Sequence, residues 1–449
     1  MYIPDYYEFG CRVNMVAGHH ALEKIPELLS GMGAKSPMLL TDKGVRAAGL
    51  VDIVIGAMGD KLTVTTIEDE VPPDSAVKVV NRLAAVYQKL GCDAIIAVGG
   101  GSVLDTAKGI NILVSEQADD LMAFTGSGAL KRKLNPLIAV PTTAGTGSEV
   151  TIGAVISDPD NNRKMLFGSY FLLPDAAVID SRMTLTLPPH ITAATAMDAM
   201  AHAVEAFIML AKNPLSDAHA IEAIQLIVKY LPRVIQSPSD KKPSDKNPSD
   251  KEGRLALATA ATLAGIAFSN ATVGMVHALG HSVGSICHIP HGNCMAILLP
   301  YGLEYNLHKV EGRIAQLLLP LAGEEIYTCT PENQRALKTI ACIRNLNRDL
   351  CQATKGAHAT CFKEVMDKQG TPMVPETKLS QIARTALGDG TILFNPEDMD
   401  YGDCLRVIQA AWEGIPLHNE IAKSNITPNI TPNITSRIKS RLKSRLKKG

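Results

Sequence analysis

Five short apolar runs, each followed by turn-forming residues and most by a helical stretch, mark the first 184 residues and then stop. They span 37–41, 62–67, 94–98, 137–140 and 176–179. Runs this short, unbroken by polar residues, are what strands buried on both faces require. Stretches between them, such as 74–90, place apolar residues three and four apart, as helices lying on a sheet must. The alternation predicts an α/β domain with a parallel sheet covered on both sides. From Thr192 to about Ala422 the chain is rich in Ala and Leu and nearly devoid of β-branched runs, so an all-helical half is expected. The change falls at Leu187-Pro188-Pro189. It divides the chain into an expected α/β domain over 1–184 and a helical domain over 185–423.

Length supports that division, because 449 residues exceed what one hydrophobic core usually organises. A net charge of −1 argues against nucleic acid or another polyanion as the main partner. The start lacks a basic n-region and an apolar h-region, and no apolar run is long enough for a membrane span. Nine cysteines show no CxxC pair and no regular spacing, which favours reduced thiols and a cytoplasmic protein. Two segments belong to neither core. Residues 238–251 repeat Pro-Ser-Asp-Lys three times and are expected to form a disordered insertion loop. The tail, 424–449, repeats Asn-Ile-Thr and then sets Ile438, Leu442 and Leu446 four apart among basic residues. That pattern is either a solvated tail or a basic amphipathic helix for an acidic partner or a membrane surface.

Chemistry concentrates in four blocks. AVGGGSVLDTAK (97–108) joins an apolar run to a helix start through three glycines, which let a backbone approach phosphate at a helix N-terminus. PTTAGTGSEVT (141–151) follows another run and offers more hydroxyls than a turn needs. Asp42 ends a third run, where a carboxylate either accepts from ribose hydroxyls or caps the next helix. The third block sets Asp198 and His202 four apart amid small apolar residues, where a charged Asp needs a partner; Glu205 is a lesser candidate. The fourth, 275–292, gathers His277, His281, His288 and His291, four of the twelve histidines. Imidazoles and a carboxylate at helical spacing suit a divalent metal, though spacing alone does not select which histidines bind it.

Taken together the blocks resemble the iron-containing (group III) alcohol dehydrogenase family. GGGSVLDTAKG (99–109), PTTAGTGSEVT (141–151), ATAMDAMAHAVEA (194–206) and VHALGHSVGSICHIPHG (276–292) stand in that family's order. The resemblance covers about residues 5–420. It implies a Rossmann-like N-terminal domain and a helical C-terminal domain with a metal in the cleft between them, the fold shared with dehydroquinate synthase. It implies NAD as cofactor and ferrous iron as the metal, with zinc in some relatives. By the same resemblance Asp198, His202, His277 and His291 are the metal ligands, and His281 lies near the nicotinamide as a candidate for proton relay or cofactor positioning. Gly99, Gly100, Gly101, Ser102 and Asp105 fall in the pyrophosphate block. Thr142, Thr143, Gly147, Ser148 and Lys164 contact the rest of the dinucleotide, and Asp42 reads the adenosine ribose. The implied reaction interconverts a small primary alcohol or diol and its aldehyde, in an enzyme that is commonly a homo-oligomer. The rival readings are a zinc-dependent polyol dehydrogenase, a dehydroquinate synthase-like lyase and, from another class, a non-catalytic scaffold on the same fold.

Overall fold

The computed structural model describes residues 3–158, 163–236 and 250–417. The tail at 424–449 and all but the last two residues of the 238–251 repeat lie outside these. Nine strands are present among the described residues: β1 (Asn14–Gly18), β2 (Pro37–Leu40), β3 (Thr66–Glu68), β4 (Ala94–Gly99), β5 (Gly126–Ser127), β6 (Leu137–Pro141), β7 (Gly153–Asp158), β8 (Arg163–Gly168) and β9 (Ala176–Asp180). Six form one sheet in the order β1-β9-β6-β4-β2-β3, with every pairing parallel. Its two faces are separate cores, because successive side chains of a strand point oppositely. Ile95, Ala97 and Ala139 enter one core, while Ala94, Ile96, Val98 and Val140 enter the other. Helices α1 (Ile25–Gly31), α2 (Lys43–Ala47), α3 (Leu50–Met58), α4 (Val77–Lys89) and α5 (Gly101–Glu116) connect the strands. Helix α4 buries Val80, Leu83, Ala84 and Tyr87, the one-sided spacing its sequence carries.

The strand expected over 62–67 is confined to Thr66–Glu68, paired only with β2 at the sheet's edge. Strand β1 lacks an apolar run because it forms the opposite edge and is largely exposed. A second, three-stranded sheet, β5-β8-β7, contains the antiparallel β7–β8 pair and was not expected from the sequence. Along β7, Ala154, Ile156 and Asp158 are buried while Gly153, Val155 and Ser157 are half-buried.

After β9 no further strand occurs among the described residues. Helix α6 (Pro189–Ile208) starts with Pro at its first position, where the missing N–H costs nothing. It is followed by α7 (Pro214–Gln236), α8 (Lys251–Ala271), α9 (Met275–Cys287) and α10 (His291–Gln316), then by five shorter or later helices between Leu318 and Glu413. Asp250, placed by the repeat in a loop, caps α8 by accepting from Gly253 N. Helix α6 is buried almost all round, and its alanines let α7, α8 and α10 close around it. No single helix among the described residues is long and apolar enough to cross a membrane.

Candidate metal centre and nucleotide cleft

Asp198 and His202 stand one turn apart on α6, His277 lies in the first turn of α9, and His291 opens α10. One donor atom from each lies within 4.8 Å of every other. Asp198, His202 and His277 are buried and His291 is half-buried. Asp198 Oδ1 lies 3.2 Å from His291 Nε2 and 4.0 Å from His202 Nδ1. Yet Asp198 Oδ1, His202 Nδ1 and His277 Nε2 are buried without a hydrogen-bond partner. Orphaned polar atoms are costly to bury, so three of them converging on one point describe a cation's donor set. Their protonation agrees. Burial opposes charge on Asp198, but His202 and His291 outweigh it and hold the carboxyl well below its ordinary range. Burial pushes His202 down to about 3, and pushes His277 well below the usual imidazole value. Neutral imidazoles and a carboxylate are ready to ligate.

Glu205 is not part of this set. Its Oε1 accepts from Gly274 N and Val276 N, both at 3.0 Å, and its Oε2 bonds His277 Nδ1. That bond calls for a proton on Nδ1 and leaves Nε2 of His277 aimed at the cluster. Phe268 stacks on the His202 ring at 4.2 Å between centroids. Glu205→Ala is expected to weaken metal binding by roughly 10- to 100-fold, read by titration of the apoprotein; unchanged affinity would leave Glu205 with a packing role only.

His281 is half-buried beside the cluster, its ring stacked on that of His291 at 5.3 Å. Its Nδ1 lies 2.7 Å from Asp389 Oδ2, a residue with no signal in the sequence. His288 is exposed and serves as the left-handed cap of α9.

The two glycine-rich blocks meet at the carboxyl ends of the neighbouring strands β4 and β6. Thr142 N donates to Gly99 O at 3.0 Å. A Cβ on Gly100 or Gly101 would touch the side chains of Thr143 or Thr146, at 3.4 and 3.0 Å. Gly100 precedes α5 with no side-chain cap, leaving the first amides of that helix for a ligand. The second block also reaches the helical half. A Cβ on Gly145 would lie 2.9 Å from Thr195 O, one turn before Asp198, and one on Gly147 would lie 2.6 Å from Gly265 Cα in α8. The nucleotide-type loop and the metal-type helix are thus in direct contact.

Several expected contact residues have internal partners. Ser148 Oγ donates to Asp105 Oδ1 at 2.7 Å, and Asp105 Oδ2 accepts from Val155 N at 2.9 Å. Asp105 therefore braces the second block from α5. Lys108, not singled out by the sequence, is fully buried and donates to Ser148 Oγ, Thr151 O, Thr151 Oγ1 and Gly153 O. Burial pushes its amine down to about 8. Ser102 Oγ donates to Pro73 O, and Lys164 Nζ lies 3.2 Å from Asp74 Oδ1. Asp42 caps α2 by accepting from Val45 N at 2.9 Å, the structural role left open for it.

Comparison with known proteins gives this arrangement its class. The model described as "Iron-containing alcohol dehydrogenase" matches residues 13–181, and "Fe-containing alcohol dehydrogenase family, C-terminal" matches 192–412. The chain belongs to the iron-containing alcohol dehydrogenase family. It is 34% identical to 1,3-propanediol dehydrogenase of Klebsiella pneumoniae over 387 residues, covering 84% of this chain and 92% of that protein. It is 33% identical to the NAD-dependent methanol dehydrogenase of Bacillus methanolicus over 311 residues, 69% of this chain and 78% of that one. The structure of an alcohol dehydrogenase from Oenococcus oeni superposes with a TM-score of 0.80 at 32% identity, covering 91% of this chain and all of that one. The family and the fold expected from the four blocks are those found, and the chain is an oxidoreductase of the alcohol dehydrogenase class.

Proposed function

We propose that this chain interconverts a small primary alcohol or diol and its aldehyde, using NAD(H) and a divalent metal, iron or zinc, held by Asp198, His202, His277 and His291. The observation that carries it is the convergence of four ligand atoms within 4.8 Å, on a helix touched by the second glycine-rich loop. When bound, the cation supplies Lewis-acid chemistry to the alcohol's oxygen, and NAD supplies the hydride acceptor. The first amides of α5 with Gly99, Gly100, Gly101 and Ser102 hold the pyrophosphate. Thr142, Thr143, Gly147, Ser148 and Lys164 meet the rest of the dinucleotide, with Asp105 holding Ser148 in place. Asp42, at the end of β2, accepts from the ribose and disfavours a 2′-phosphate. His281 takes the hydroxyl proton and passes it to solvent, which its half-exposed position beside the cluster allows.

We place the domain division at 184/185. The homo-oligomer we propose uses the exposed edge of β1, where Met15 is 46% exposed and no strand among the described residues pairs on its outer side. Nine unpaired cysteines support a reducing, cytoplasmic setting. The basic tail is proposed to bind an acidic partner or surface. Deleting 424–449 then abolishes that association while turnover stays unchanged.

The test is metal content of anaerobically purified protein together with NAD reduction on a panel of small alcohols. About one iron per chain, with activity lost on chelation and restored by ferrous ion, is the expected result. Stoichiometric zinc with diol turnover moves the protein to the polyol type. Absence of both metal and turnover returns it to the scaffold reading.

A further inference from the structure

His281 follows His277 by one turn on α9, its ring stacked on His291 and edge-on to His277. Asp389, 108 residues further along the chain, is the N-cap of the short turn Gly390–Phe394, which packs against α9. Its two oxygens are divided. Oδ2 faces His281 Nδ1 at 2.7 Å, and Oδ1 accepts from Thr391 N at 2.9 Å and Thr391 Oγ1 at 2.7 Å. Just past the turn, Asn395 Oδ1 accepts from Met275 N at 3.3 Å and from Asn306 Nδ2 at 3.1 Å. The carboxylate is thus clamped against α9 from both ends of its turn. An ionised carboxylate only accepts, so it calls for a proton on Nδ1 and leaves the Nε2 lone pair open.

We propose that Asp389 is the positioning residue for His281. It fixes the ring and the Nδ1–H tautomer, so that Nε2 is the atom offered to the substrate's hydroxyl proton. The inference rests on the reading of His281 as proton carrier. In the oxidation direction the substrate O–H bond breaks, the proton joins Nε2, and the Nδ1 proton stays between His281 and Asp389. Water then takes the Nε2 proton, and the starting tautomer returns. In the reverse direction each transfer runs backwards.

The test compares metal-loaded Asp389→Asn, Asp389→Ala, Asp389→Glu and His281→Ala variants of the full chain. In Asp389→Asn the two Thr391 donors claim the amide oxygen, which turns the amide N–H toward His281 Nδ1. That stabilises the wrong tautomer, whereas alanine imposes none. The expected order of kcat is wild type, then Glu, then Ala, then Asn, with Asn down by about 10²-fold or more. Metal content, NADH affinity measured by fluorescence and the alcohol KM stay within about twofold in Asn and Glu, the variants that keep an acceptor for Thr391. An Asn variant no slower than the Ala variant overturns the inference, as does loss of metal or NADH binding in parallel with kcat. Unchanged turnover in His281→Ala instead removes the proton-carrier reading beneath it. A slow His281→Ala enzyme beside a normal Asp389→Asn enzyme removes only the role of Asp389.

Discussion

His277→Ala yields protein with far less than one metal ion per chain and no measurable alcohol-dependent NAD reduction. His277 offers the cluster Nε2, already aimed by Glu205, and no other buried imidazole among the described residues can replace it. His281 is the nearest alternative, with its ring 5.8 Å from that of His277, but Asp389 anchors it outside the group of four converging ligand atoms. The loss should exceed the roughly 10- to 100-fold that follows removal of a residue supporting a ligand. Glu205 keeps its two backbone donors in the variant, so the fold survives, and NADH binding and a cooperative melt serve as controls. Full metal occupancy in His277→Ala would exclude it from the ligand set.

Gly147→Ala is the second large effect. Gly147 has φ +63°, a left-handed conformation that costs an L-residue about 1–2 kcal/mol. A Cβ there would also sit 2.6 Å from Gly265 Cα and 2.9 Å from Ala261 O, backbone atoms of α8 that have no side-chain freedom to give. Overpacking of this kind costs about 1–3 kcal/mol, so a total loss of about 2–5 kcal/mol is expected. The partner position makes a sharper check. A glycine inside a helix is normally improved by alanine, by about 1 kcal/mol. At Gly265 the new Cβ would meet Gly147 O at 2.8 Å, and Gly265→Ala should lower the melting temperature instead. A raised melting temperature in either variant would show that the loop and α8 are not in contact. Both substitutions should weaken NADH binding as well, because the loop they displace carries Thr142, Thr143 and Ser148.

What the sequence reveals follows from how local each signal is. The inner strands β2, β4, β6 and β9 are legible because burial on both faces demands unbroken apolar runs. Strand β1 escapes notice because an exposed edge imposes no such demand. Strands β7 and β8 form an antiparallel pair that only a period-two reading would detect. The metal-type cluster is legible because Asp198 with His202, and the histidines of 275–292, lie in compact helical blocks. Glu205 and Asp389 were not assigned their places, since their partners lie 72 and 108 residues away and only tertiary packing joins them. Lys108 sits inside a recognised block, yet nothing in its spacing says that its amine is fully buried.

The donor set itself has a consequence for what an isolated sample contains. Three imidazoles and one carboxylate form a borderline environment that ferrous, cobaltous, nickel and zinc ions all accept. Among these, intrinsic affinity rises from iron toward the later metals, so equilibrium competition in a mixed medium disfavours iron. No second cluster among the described residues adds a ligand that would reverse that order. On the proposed ligand set, cells and purification buffers that differ only in zinc supply are therefore expected to yield the same polypeptide with different metals. Occupancy will record the history of the sample as much as the preference of the fold.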